Sequence, residues 1–119
     1  MRFLAGVLVA VLLAGCAATI GDVRSNPPLL NLDSHKSARH VAECIRDGWQ
    51  ATPLIGGNLG GLLQSSGDRY TVIAPNVDSP WNVVDIDQST NVSVVKYHFY
   101  RTWQSPPDRV LDVVRSCTK

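Results

Sequence analysis

Three runs, Arg69-Tyr70-Thr71-Val72-Ile73-Ala74, Trp81-Asn82-Val83-Val84-Asp85-Ile86-Asp87 and Val92-Ser93-Val94-Val95-Lys96-Tyr97-His98-Phe99-Tyr100-Arg101, are rich in β-branched and aromatic residues. Such side chains fit a pleated, half-buried surface, so each run reads as a strand. Asn76-Val77-Asp78-Ser79-Pro80 and Gln88-Ser89-Thr90-Asn91 separate them. A parallel crossover needs about a dozen residues or more, so connections this brief imply an antiparallel meander. Alternation puts Tyr70, Val72, Ala74, Val84, Ile86, Val95, Tyr97 and Phe99 on one face, the core side. Arg69, Thr71, Ile73, Trp81, Val83, Asp85, Asp87, Val94, Lys96, His98 and Tyr100 fall on the other, which is expected to be solvated.

Outward from the sheet, each flank carries a helical pattern. Ser34 to Asp47 places Ala38, Val41, Cys44 and Ile45 on one face, with Asp33 or Ser34 as the N-cap and Gly48 at the C′ position. At the other end, Ser105-Pro106-Pro107-Asp108 offers an N-cap serine, a proline at the first helical position and an acid three residues after the cap. Val110, Leu111, Val113, Val114 and Cys117 then form its apolar stripe. The expected fold is an α+β two-layer sandwich of α-β-β-β-α order, with two helices on one face of a three-stranded antiparallel sheet, in a single domain over residues 34–119. The Gly-rich segment 53–68 either adds a short fourth strand or forms a flexible loop. Its Leu54, Ile55, Leu59, Leu62 and Leu63 then fold back on the core or meet a partner. It has neither the G-x-G-x-x-G spacing nor a following Lys-Ser/Thr pair, so no nucleotide is expected there.

With 119 residues, 45% of them hydrophobic and 18% charged, the chain has the size and composition of one small globular domain and not of a disordered tail. A net charge of +1 gives no single-sign field for a nucleic acid.

The N-terminus carries an address. Met1-Arg2 precedes an apolar stretch from Phe3 to Ala14 and then Gly15-Cys16, the pattern of a secretory signal over residues 1–15. A helix needs about 20 apolar residues to span a bilayer, so this stretch is too short. Leu13-Ala14-Gly15-Cys16 resembles the bacterial lipobox. The resemblance implies cleavage before Cys16, a diacylglycerol on its sulfur and a further acyl chain on its new amino group. Two or more acyl chains anchor a protein stably where one does not. Ala17 stands where an Asp would signal inner-membrane retention, so the outer membrane is the expected destination. Removing residues 1–15 takes Arg2 from the 11 basic residues and leaves 10 against 10 acidic ones, so attachment is left to the lipid. Residues 16–33, with Ser25-Asn26-Pro27-Pro28 and little periodicity, read as the lipidated N-terminus and a flexible tether.

With Cys16 acylated, Cys44 and Cys117 remain in a chain bound for an oxidising compartment. A disulfide between them is the simplest account, stapling the two helices over the sheet. The sharper alternative is a metal site on His40 and Cys44, one helical turn apart, with Cys117, His35 or His98 as further ligands. It lacks the paired C-x-x-C or H-x-x-x-H units of persuasive zinc motifs, and no metal or cofactor is expected.

Candidate chemistry is sparse. Asp85 and Asp87, about 7 Å apart on one side of a strand, match the spacing of an inverting glycosidase pair, but a domain this small offers little room for the required cleft. His98 could serve as a base beside Lys96 or Asp85, yet no nucleophile stands at a recognisable elbow or triad signature. Trp49, Trp81 and Trp103 are each candidates for a core or an interface. The expected binding face is the open side of the sheet with Trp81, Lys96, His98 and Tyr100, and a free edge strand is a second possibility.

The lipobox, the Ala42-Glu43-Cys44-Ile45 of the first helix and the Val113-Val114-Arg115-Ser116-Cys117 of the last are similar to those of small outer-membrane lipoproteins of Gram-negative proteobacteria. That resemblance implies an envelope protein of undefined biochemical role, sometimes a surface antigen, with no catalytic residues to carry over. The expected function is therefore a non-enzymatic outer-membrane lipoprotein that binds an envelope partner or contributes to envelope structure. The alternatives are an inhibitor or accessory factor of an envelope hydrolase, and a small envelope hydrolase using Asp85, Asp87 or His98.

Overall fold

The computed structural model describes residues 18–119. The expected signal segment over residues 1–15 and the expected acylation site, Cys16, lie outside the described residues. The three strand runs form β5 (Arg69–Ala74), β6 (Asn82–Gln88) and β7 (Ser93–Phe99), consecutive and antiparallel. The meander has two further strands, β4 (Leu62–Ser66) beside β5 and β1 (Leu30–Ser34) beside β7, giving the order β1-β7-β6-β5-β4. The α+β class and the antiparallel sheet stand; among the described residues the main sheet has five strands in place of three or four, and there are three helices in place of two.

The fourth strand expected from the Gly-rich segment is β4. Ahead of it, β2 (Pro53–Leu54) and β3 (Gly57–Asn58) close a miniature hairpin in which Gly56 takes a positive φ of 89° that other residues avoid. Leu59 returns from it to the core, and Ile55 is left fully exposed at its tip.

The larger departure is in the segment read as a tether. Thr19 opens α1 (Ile20–Arg24) through a capping box: its hydroxyl accepts from the Asp22 amide, and its own amide donates to the Asp22 carboxylate. After Pro27-Pro28, Leu30 and Leu32 alternate with Asn31 and Asp33, and β1 pairs along its length with β7. Residues 20–34 are thus part of the folded domain. They cover what three strands alone would leave open, an edge and one face of the sheet.

The two expected helices pack on the other face. α2 (Ala38–Gln50) starts four residues later than Ser34 because β1 takes Leu30–Ser34, and Ser37 supplies the cap by accepting from the His40 amide. Gly48 lies inside α2 and not beyond it. A Cβ there would come within 2.6 Å of Val113 Cγ1, so the glycine marks the close approach of α2 to α3 (Asp108–Thr118). α3 begins at Asp108 because Pro107 disfavours a helical Pro106, so the Ser105 cap cannot form. Ala38, Val41, Ile45, Trp49, Val110 and Val114 meet Val72, Val84, Ile86, Val95 and Tyr97 in one core. Inside it, the Trp49 ring meets Tyr97 edge-on and its Nε1 donates to the Val110 carbonyl, while Tyr97 Oη donates to Asn82 Oδ1. Burial pushes the Tyr97 phenol far above its ordinary range.

The disulfide joins Cys44 of α2 to Cys117 of α3 with a Cα–Cα distance of 5.7 Å. It takes both thiols that the alternative metal site required. Among the described residues, no helix is long and apolar enough to cross a membrane.

Candidate functional site

The second sheet face is not the open surface that alternation alone suggests. Val23 of α1, Ile73 of β5 and Val83 of β6 are buried outside the main core, forming a second apolar layer where α1 lies against β6 and β7. Beside them Arg24 reaches from the last turn of α1 to Asp85 in mid-strand, with Nε 2.6 Å from Oδ2 and Nη2 2.8 Å from Oδ1. The Thr71 hydroxyl donates to the same carboxylate at 2.8 Å, and Arg69 lies 3.8 Å from it. Burial alone would raise the Asp85 carboxyl, but hydrogen bonds from Arg24 and Thr71 and the charges of Arg24 and Arg69 outweigh it and hold the group below its ordinary range. Asp87 is taken by Arg69, whose Nε donates to it at 2.6 Å and Nη2 at 3.0 Å. The two carboxylates share a side of β6 as expected, but each is clamped by an arginine fork, that of Arg24 on Asp85 suited to holding α1 to the sheet and that of Arg69 on Asp87 to joining β5 and β6.

The four residues expected to form a binding face are divided. His98 is buried, and its Nδ1–H donates to the Asn26 carbonyl at 2.7 Å, since a carbonyl oxygen only accepts. Its place on an open binding face is corrected: the segment after α1 covers it. Lys96 is exposed and stands in register between Asn31 of β1 and the already engaged Asp85 of β6. Trp81 and Tyr100 do come together. Their rings stack with centroids 5.6 Å apart and planes 23° from parallel, and the Tyr100 amide donates to the Trp81 carbonyl.

That stack continues through residues the alternation did not single out. The Arg101 guanidinium lies 4.6 Å from the centre of the Tyr100 ring and 4.9 Å from that of Trp103, between the two. The result is a ladder, Trp81–Tyr100–Arg101–Trp103, held by ring stacking and cation–π attraction. Arg101 Nη1 also donates to Gln104 Oε1, which fixes the guanidinium in place. Trp103 is 76% exposed and Trp81 45%, whereas Trp49 is wholly buried. Next to the ladder, Asn26, Pro27, Leu29, Phe99, Arg101 and Thr102 line a depression of about 100 Å³. The aromatic spacing around Arg101 was the available signal, but it falls beyond the strand, where period-2 alternation has nothing to say.

The ladder has the chemistry of recognition without a built catalytic group. It offers flat apolar area on amphipathic rings and one fixed cation whose unused N–H groups can meet an anion or carbonyl. No protein-family model, curated protein or solved structure matches the chain.

Proposed function

We propose that the chain is a lipid-anchored, non-enzymatic binding module of the bacterial outer membrane, acylated at Cys16, whose recognition surface is the Trp81–Tyr100–Arg101–Trp103 ladder. The observation that carries the reading is the exposure of Trp103 and Trp81 in a domain that has buried Trp49 completely. Large aromatic side chains left outside a well-formed core and ordered by an arginine are the usual anchors of an interface. The lipobox supplies the anchor, and a disulfide between the only two other cysteines suits an oxidising compartment. The reading without catalysis draws on Asp85 and Asp87, which spend their oxygens on Arg24, Arg69 and Thr71, and on His98, which is buried beneath the α1 segment.

One observation favours a second reading, an inhibitor or accessory factor of an envelope hydrolase: the β2–β3 hairpin projects Ile55 with its side chain entirely free. A narrow apolar tip of this kind suits insertion into a cleft.

Fractionation of intact cells tests the anchor, with wild type expected in the outer membrane and Cys16→Ala released from it. Crosslinking in the same cells tests recognition. Replacing Trp81 and Trp103 with alanine should abolish whatever adduct forms, while retention of one stoichiometric hydrolase by the ladder variant, lost on Ile55→Asp, would favour the second reading.

A further inference from the structure

We propose that the surface recognised by the ladder is the lipid interface of the membrane that carries the chain, so that the domain rests on the bilayer by one end of its sheet. This deepens the reading above and rests on the anchor at Cys16.

The strand register supplies the first observation. Ala74 pairs with Asn82, Asn82 with Phe99, Leu30 with Tyr97 and Leu62 with Ile73, so β5 and β7 end where β1, β4 and β6 begin. Leu29, Leu62, Val77, Trp81 and Trp103 therefore gather at one end of the sheet. They are five of the six large apolar side chains that the described residues expose; the sixth is Ile55. The opposite end is made by Ser66-Gly67-Asp68, Ser89-Thr90-Asn91 and His35-Lys36. Exposed apolar residues scattered singly need no explanation, but their segregation to one end marks a surface that meets something apolar. Tryptophan and tyrosine favour the headgroup level, where the ring is partly in hydrocarbon and its polar edge is wet. Arg101 can lay its guanidinium toward phosphate oxygens from that level.

Chain length supplies the second. Thr19 caps α1 and stands three residues after Cys16, a span of at most about 10 Å. Had residues 16–33 formed a tether, the reach would be roughly 60 Å. Because α1 and β1 belong to the domain, the domain cannot stand off the surface to which Cys16 is fixed. From Thr19, α1 covers about 7.5 Å. Asn26 follows Arg24 by two residues, and its side-chain amide donates to the Phe99 carbonyl at the aromatic end. The acylated residue thus stays within about 25 Å of that end. With 10 basic and 10 acidic residues after Cys16, the chain has no net charge to draw it to anionic lipid, whereas the aromatic residues mark one end.

The test uses the lipidated protein in vesicles of phosphatidylethanolamine and phosphatidylglycerol, with and without brominated acyl chains, reading flotation and tryptophan emission on one sample. Brominated chains are expected to quench the emission of Trp81 and Trp103 and leave that of buried Trp49. A Trp81→Phe/Trp103→Phe variant should float equally and lose the quenching. Protein that floats but keeps its full emission overturns the seating and leaves the anchor standing. Failure of the wild type to float at all overturns both. Crosslinking from Trp103 to an envelope protein in cells, with no lipid quenching in vesicles, also overturns the seating and returns the ladder to a protein partner.

Discussion

Asp85 shows how one residue changes meaning between sequence and structure. Beside Asp87 on a strand it resembles half of a catalytic pair, yet in the fold its two oxygens meet Arg24, Thr71 and Arg69. Its folded-state pKa lies below the ordinary 3.8, so its contribution to stability is complete above about pH 4 and is lost as pH falls through the lower folded value. Denaturation of Asp85→Asn should show a loss of about 2 kcal/mol at neutral pH, with the gap to wild type closing in acid below pH 4. A gap that is constant with pH would mean that the carboxylate charge is not what matters. Gly48 makes a second case. Alanine in an exposed helix interior normally gains up to about 1 kcal/mol over glycine. Here its Cβ would meet Val113 Cγ1 at 2.6 Å, so Gly48→Ala should instead destabilise by about 1 kcal/mol and lower the melting temperature.

Among the elements, α1 and β1 alter the reading most. A five-residue helix has little stability of its own, so α1 depends on what it touches. Three features hold it: the Thr19–Asp22 capping box, the burial of Val23, and the fork from Arg24 to Asp85. Val23→Ala should cost about 2 kcal/mol and increase hydrogen exchange at the amides of residues 20–26 before the sheet opens. Exchange that rises equally throughout the domain would show instead that α1 unfolds only with the whole. Part of this was legible: Thr19-x-x-Asp22 is a capping signature, and Leu30-Asn-Leu-Asp alternates as a strand should. Pro27-Pro28 concealed it, because two adjacent prolines read as a break when they form the hinge between helix and edge strand. For β5 the expected bounds coincide with the observed Arg69–Ala74, since its alternation is long and its turns are unmistakable.

For the whole molecule the disulfide is the strongest covalent constraint. Its 73-residue separation is worth roughly 4 kcal/mol in the chain-entropy account. Cys44→Ala with Cys117→Ala should therefore lower the unfolding free energy by about that amount, and neither Cys44 nor Cys117 of the oxidised protein should be alkylated without prior reduction. A double variant as stable as wild type would place the stability in the α2–α3 packing alone. At this scale too lies the asymmetry between an aromatic end and a polar one, which belongs to no single element. It arises only when strand ends far apart in the chain are aligned by register.

The sequence by itself determined the antiparallel meander, the two core helices, the pairing of Cys44 with Cys117 and which strand residues face the core. These follow from local periodicity and, for the cysteines, from setting Cys16 aside on its lipobox resemblance, which need no knowledge of distant partners. Tertiary structure alone decided what covers the other face of the sheet, and so turned Asp85 and His98 from surface chemistry into the fastening of α1 and its connection to β1, while Asp87 pairs across strands with Arg69. It also decided that Trp81, Tyr100, Arg101 and Trp103 form one ladder. Alternation tells which way a side chain points from its strand, but whether that direction ends in water depends on which other segment of the chain folds across it.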